Sequence, residues 1–206
     1  MNNGFSCLST VQAVARSFSP HLAGSQPASR GLTHRATALV LLAAVTTSAF
    51  AAADWPMWGG TPARNMVSPA KGIPGDIVSG KFLPKSETVD PKTTKNIRWV
   101  AKLGSQTYGS PVISGGRVFS GTNNESPRDP SQIGDRGVLM CFDEKTGDLL
   151  WQLVIPKVGA GKVSDWEFVG LCSSAAIEGD RGYVVTNRGE LICFDVKGLA
   201  DGNAGP

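Results

Sequence analysis

Beyond residue 53 the chain contains no histidine; both of its histidines, His21 and His34, precede that point. This removes Ser-His and Cys-His nucleophile pairs, histidine general bases and histidine-ligated zinc from residues 54–206. Cysteine is nearly as scarce. Only Cys141, Cys172 and Cys193 remain there, an odd number with no CxxC and no vicinal pair, so no disulfide framework is written in the spacing. Each lies in an apolar, strand-like run, where cysteine serves as a small hydrophobe. Net charge is missing as well. Residues 54–206 carry 17 Lys and Arg against 17 Asp and Glu, which leaves no basic excess of the kind that displaces counterions from nucleic acid. Long amphipathic helical periodicity is also absent.

The one long apolar run stands near the start. Residues 1–53 have no acidic side chain, three arginines (Arg16, Arg30 and Arg35) and the stretch "ATALVLLAAVTTSAFAAA" from Ala36 to Ala53. A basic region, a short apolar segment and a small-x-small pattern at Ala49-Phe50-Ala51 describe a secretory leader. The purely apolar part is shorter than the ~20 residues of a membrane span. Residues 1–53 are therefore expected to be a cleaved leader, making the protein exported, either periplasmic or secreted. No cysteine stands at the cleavage point to accept a lipid.

Residues 54–95 open with "DWPMWGGTPARNMVS" and continue rich in Pro, Gly, Lys and Asp. They read as a loop-rich lead-in anchored by Trp55 and Trp58. From residue 96 onward the pattern changes to short apolar runs separated by Gly-Gly, Gly-Asp and Thr-Gly. The runs are Ile97–Leu103, Ser110–Ser114, Arg117–Gly121, Gly137–Phe142, Leu149–Ile155, Cys172–Ile177, Gly182–Thr186 and Glu190–Phe194. Short strands with regular turns predict an all-β sandwich, barrel or propeller.

An internal repeat decides among these. "SPVISGGR" from Ser110 returns as "SAAIEGDR" from Ser174, while "GVLMCFD" from Gly137 returns as "GELICFD" from Gly189. The second spacing is the shorter one. The difference is an insertion near "ESPRDPSQIGDR" in the first copy, with the composition of a surface loop. Trp99 and Trp151 stand as far apart as Gly137 and Gly189. Strand, glycine turn, strand, loop, strand, Asp-containing turn and Trp strand make one propeller blade. Residues 96–206 thus predict an incomplete β-propeller of about two four-stranded blades plus one extra strand, a WD-like repeat architecture. Two blades cannot close a ring, so the sequence is expected to be the N-terminal part of a longer protein, with an open edge on its last strand.

The stretch "CFDEKTGDLLW" carries the most specific pattern. Gly147 can take positive φ, Asp143 and Thr146 can bond the turn backbone, and Trp151 can pack on a neighbouring blade. Asp143, Thr146, Gly147 and Trp151 resemble the tryptophan-docking motif Ala-x-Asp-x-x-Thr-Gly-x-x-x-Trp of the PQQ-like (pyrroloquinoline-quinone-type) β-propeller repeats, with Cys141 replacing the Ala. "YGSPVISGGRVFSGTNN" is similar to the first two strands of such a blade, and "DWPMWGGTPARNMVSP" to that superfamily's opening segment. The second copy keeps Asp195 but lacks Thr-Gly and a following Trp, an ending that resembles a loop of exported planctomycete-type members.

The resemblance implies two functions. One is a non-catalytic propeller that binds a protein or polymer at one face, with no membrane span once the leader is removed. The other is a quinoprotein dehydrogenase using PQQ and Ca²⁺ to oxidise an alcohol or sugar, for which Glu167, Asp165, Asn187 and Arg188 are the nominal ligands and quinone contacts. The binding reading is favoured, because loop charges and turn residues account for these four. "GAGKVSDW" (Gly159–Trp166) lacks phosphate-loop spacing, and Thr122-Asn123, matched by Thr186-Asn187, reads as a strand end. Thiol titration of the unfolded chain after residue 53 should give three free thiols; a single thiol would contradict the small-hydrophobe reading.

Overall fold

Gly115 and Gly116, at φ 58° and 76°, turn strand β1 (Val112–Ser114) into β2 (Arg117–Asn123). Such a left-handed pair suits glycine, which has no Cβ to clash, and its twist matches that of a hairpin. Strands β3 (Arg136–Asp143) and β4 (Leu149–Pro156) complete an antiparallel sheet in the order β1-β2-β3-β4. A second antiparallel sheet follows from β5 (Ala176–Glu178), β6 (Arg181–Val185) and β7 (Leu191–Asp195). These elements belong to a computed structural model that describes residues 54–159 and 166–200; the expected leader lies outside them. Among the described residues the only helix is a 3-10 turn at Pro91–Thr93.

The repeat holds at the level of hydrogen-bond register. Arg117 faces Asp143 across β2 and β3, and Arg181 faces Asp195 across β6 and β7. Phe119 opposite Cys141 becomes Tyr183 opposite Cys193. The two repeat spacings thus place equivalent strands in equivalent pairings, and the fold is all-β with the blade pattern of a partial β-propeller.

Side chains of β3 leave the sheet alternately. Leu139 and Cys141 join Val112, Phe119 and Ile155 against Leu171, Ala175, Ile177, Val184 and Val196 of the second repeat. Val138, Met140 and Phe142 form a separate cluster on the other face, covered by Ala101, Leu103, Val118, Leu149 and Val154. β3 is therefore apolar on both faces, as a strand held between two layers must be. At about 1.5–3 kcal/mol for each fully buried large side chain, these two clusters supply the main driving force. The joint between the repeats is aromatic. The Trp151 ring lies 5.9 Å from Phe119 and 5.6 Å from Phe194, and its Nε1 donates to the Val196 carbonyl at 3.1 Å.

Four expectations are corrected. Ile97–Leu103 is not a strand: among the described residues no neighbouring strand lies beside it, and a strand exists only by pairing. The run at Cys172–Ile177 becomes strand only at Ala176, because Leu171 bonds the Thr122 carbonyl at 3.1 Å and the following backbone packs on Gly109. Cys141 is buried, which pushes its thiol up to about 12, but Cys172 and Cys193 are exposed, and no disulfide joins any of the three. Trp55 anchors the lead-in by exchanging backbone bonds with Ile113 (2.7 and 2.9 Å), whereas Trp58 is 51% exposed beneath the Arg64 guanidinium.

Replacing Trp151 with alanine removes ring packing and an indole hydrogen bond together, and should cost about 3 kcal/mol in urea unfolding followed by circular dichroism. Trp58→Ala should cost less than about 1 kcal/mol, as expected for a half-exposed ring. Equal losses would place the joint elsewhere.

Candidate functional site

Antiparallel order sorts the connections to two ends of the sheets. The tight turns after β1, β3 and β5 share one end; the long connections after β2 and β4 and the β6–β7 turn share the other. The two ends differ in how they hold their shape.

The turn end is closed by local bonds. Asp143 Oδ1 accepts from the backbone of Lys145 at 2.8 Å and Thr146 at 2.9 Å and from the Thr146 hydroxyl at 3.3 Å, while Thr146 Oγ1 accepts from Asp148 N at 3.2 Å. The Thr146 and Lys145 amides hold the Asp143 carboxyl below the usual carboxylate range. Gly147 sits at φ 78°, and a Cβ there would come within 2.5 Å of the Trp99 ring. Trp99 donates from Nε1 to the Glu144 carbonyl at 2.8 Å. The four motif residues are thus divided between two joints. Asp143, Thr146 and Gly147 build the seat for Trp99, while Trp151 is seated on the turn of the next repeat, against Gly198.

The loop end is braced over long sequence distances. Asn123 is fully buried. Its Oδ1 accepts from Ser105 N at 3.0 Å and Glu125 N at 3.2 Å; its Nδ2 donates to Ser105 Oγ at 2.9 Å and to the Phe168 carbonyl at 2.5 Å. Thr122 Oγ1 accepts from Gly104 N at 3.0 Å and donates to the Gln106 carbonyl at 2.9 Å. Asp135, the last insertion residue before β3, accepts from Phe168 N at 2.7 Å and pairs with Lys157 at 3.3 Å. Both charged side chains are only about one-fifth exposed (20% and 18%), so their attraction is screened less than that of a surface pair. Phe168 is thereby gripped at both its amide and its carbonyl, which holds it at φ 54°. A non-glycine residue there carries strain of about 1 kcal/mol or more, sustained by its surroundings.

These braces shape a cleft of about 200 Å³ at the loop end, lined by Trp166, Val169, Gly170, Cys172, Ser173, Thr186 and Asn187. Asn187 donates to the Pro156 carbonyl at 3.3 Å, while its Oδ1 is buried without a hydrogen-bond partner. Of the nominal ligands, Asn187 lines the cleft. Arg188 is engaged with Glu190 (3.1 and 3.2 Å) and the Lys157 carbonyl (3.3 Å). Glu167 is exposed on the segment that forms one wall, and Asp165 lies outside the described residues. Ca²⁺ asks for six to eight converging oxygens; among the described residues no group of three or more His, Cys, Asp or Glu is placed to hold a metal ion. What the cleft presents is an indole, a thiol, two hydroxyls and an amide, groups that stack and hydrogen-bond. Trp166 and the Asp135–Lys157 pair were not legible in the repeat, because both lie in connections without a counterpart in the other copy.

Comparison with protein families matches residues 89–198, just over half of the chain, to a PQQ-type family described as outer membrane protein assembly factor BamB. Comparison with curated proteins gives no match.

Asn123→Ala strips several buried backbone groups of partners and should destabilise the protein by about 2–4 kcal/mol, with faster amide exchange around Phe168. Asn187→Ala gives up a single long bond and should cost less than about 1 kcal/mol in the same unfolding experiment. A reversed order would show that Asn187, not Asn123, organises this end.

Proposed function

Because the chain belongs to the PQQ-like β-propeller repeat family, we propose that it is an exported, non-catalytic propeller that binds a polypeptide partner through its loop end. One observation carries the reading. The polar side chains of that end are committed to positioning backbone (Thr122, Asn123 and Asp135 against residues 104–106 and Phe168), and what they hold out is an exposed recognition surface around Trp166. A rigid, preorganised face with a large aromatic side chain is suited to recognition, since binding then orders little that was free. The family's description names an assembly factor, a role performed by contact with another protein, and the leader-like residues 1–53 fit an envelope location. Cleavage of those residues would leave a chain whose described part has no helix long and apolar enough to cross a membrane.

The competing reading is the quinoprotein dehydrogenase. The two separate in one experiment: a photo-crosslinking amino acid replaces Trp166 at the loop end or Lys145 at the turn end, and purified protein is titrated in parallel with PQQ and Ca²⁺. Binding through the loop end predicts a discrete polypeptide adduct from position 166, none from position 145, and no quinone absorbance retained after desalting. Retained quinone absorbance with alcohol-dependent bleaching, or adducts from position 145 alone, would overturn it.

A further inference from the structure

Residues 78–95 of the lead-in form a hairpin that belongs to neither sheet. Val78 bridges Lys95 and Phe82 bridges Val89, both antiparallel. The stem is tied closely. Lys81 N donates to Thr93 Oγ1 at 2.7 Å, that hydroxyl donates to the Asp90 carbonyl at 2.8 Å, and Asp90 N donates to the Lys81 carbonyl at 2.8 Å. Gly80 packs so near Val89, Thr93 and Thr94 that a Cβ there would stand 2.8–3.0 Å from them. The end is fixed too: Leu83 N donates to the Thr88 carbonyl at 2.9 Å, and Ser86 N to the Leu83 carbonyl at 3.1 Å.

This braced hairpin carries "KFLPK", Lys81 to Lys85, at its end. Phe82 is 68% exposed and Leu83 40%, and Ile73 and Ile77, which lead into the hairpin, are exposed as well. Apolar side chains held out into water by an ordered backbone mark a contact surface. The charges choose the contact. The carboxylates in and beside the hairpin are already engaged: Asp76 by Lys95, Glu87 by Lys102 at 2.5 Å, and Asp90 by the Lys92 amide at 3.0 Å. Among the described residues Lys81 and Lys85 make no ion pair. The end is therefore cationic on either side of an apolar centre.

We propose that this hairpin end is a membrane-contact surface: Phe82 and Leu83 enter the interface of an anionic bilayer while Lys81 and Lys85 meet its phosphates. An apolar centre with flanking cations matches the layering of a bilayer, hydrocarbon within and phosphate without. Binding of this type grows with the apolar area that enters and with the attraction of each cation to the negative surface. Because the stem is already ordered, contact freezes little that was free. The hairpin end shares no residue with the loop-end cleft, so one can hold a membrane while the other holds a polypeptide. That the membrane is one of the envelope rests on the exported reading; the affinity for lipid does not.

The test uses the whole chain with Cys7, Cys172 and Cys193 replaced by serine and an environment-sensitive nitrobenzoxadiazole dye on Ser86→Cys, with Lys145→Cys as the control site. Vesicles of mixed phosphatidylcholine and phosphatidylglycerol should shift the emission at position 86 to the blue and leave position 145 unchanged. About 1 M salt, which cuts the screening length to about 3 Å, should weaken the binding. Lys81→Gln with Lys85→Gln should weaken it roughly 30-fold, and Phe82→Ser with Leu83→Ser about 10-fold or more. Both pairs should leave the circular dichroism unchanged, since these side chains are exposed. Protein held on vesicles through residues 1–53 alone would keep position 86 in water and overturn the proposal. An unshifted position 86 on every vesicle would overturn it too, and would make the hairpin end a contact for another protein. Equal binding to phosphatidylcholine alone, or double variants that bind as the unaltered chain does, would also overturn it.

Discussion

An indole N–H bonded to a backbone carbonyl of the following repeat is the contact on which the rest depends. A sheet of three or four short strands cannot bury both of its faces alone, so each must be fixed to the next at a defined angle. Trp151 does this in three ways at once: it stacks among Phe119 and Phe194, donates to the Val196 carbonyl, and rests where Gly198 has no Cβ. Trp99 repeats the joint one sheet earlier against Glu144 and Gly147. The apolar cluster around Leu139, Leu171 and Val184 can be dry only because that angle is set.

The two ends of the sheets spend their polar groups differently. At the turn end Asp143 and Thr146 satisfy their own turn within a few residues, so the structure there is local and needs little from elsewhere. At the loop end Asn123 and Asp135 reach 45 and 33 residues ahead to hold Phe168 in an unfavourable backbone region. Bonds of that span persist only if both repeats are folded. The loop-end cleft is consequently tied to the integrity of the whole pair of sheets, whereas the turn end would survive local loosening.

Strand positions were legible in the sequence wherever a glycine turn and a repeat partner coincided. The spacings from Ser110 to Ser174 and from Gly137 to Gly189 carried not only the strands but also their pairings, such as Arg117 with Asp143 and Arg181 with Asp195. Legibility ended where geometry depended on a neighbour. Ile97–Leu103 has every local property of a strand and, among the described residues, lacks only something to pair with. Cys193 sits in an apolar run like Cys141, yet it is exposed, because among the described residues it lies on an edge strand while Cys141 lies on a strand paired on both sides. The cleft was legible in part. Asn187 was visible as a repeated turn residue, but Trp166 and the Asp135–Lys157 pair sit in unrepeated connections, where no internal comparison is possible.

The span of the tryptophan joint also bears on how such a chain can grow by gene duplication. The indole comes from residue 99 and its carbonyl from residue 144, so a complete joint is carried by a segment running from a Trp to the next Asp-containing turn. A segment cut at the sheet boundaries, from β1 to β4, would carry a tryptophan without its seat and a seat without its tryptophan. The copied unit that inserts without damage is therefore out of phase with the sheet: it begins on the outermost strand of one blade and ends after the third strand of the next. Each new copy then arrives with its own joint already made.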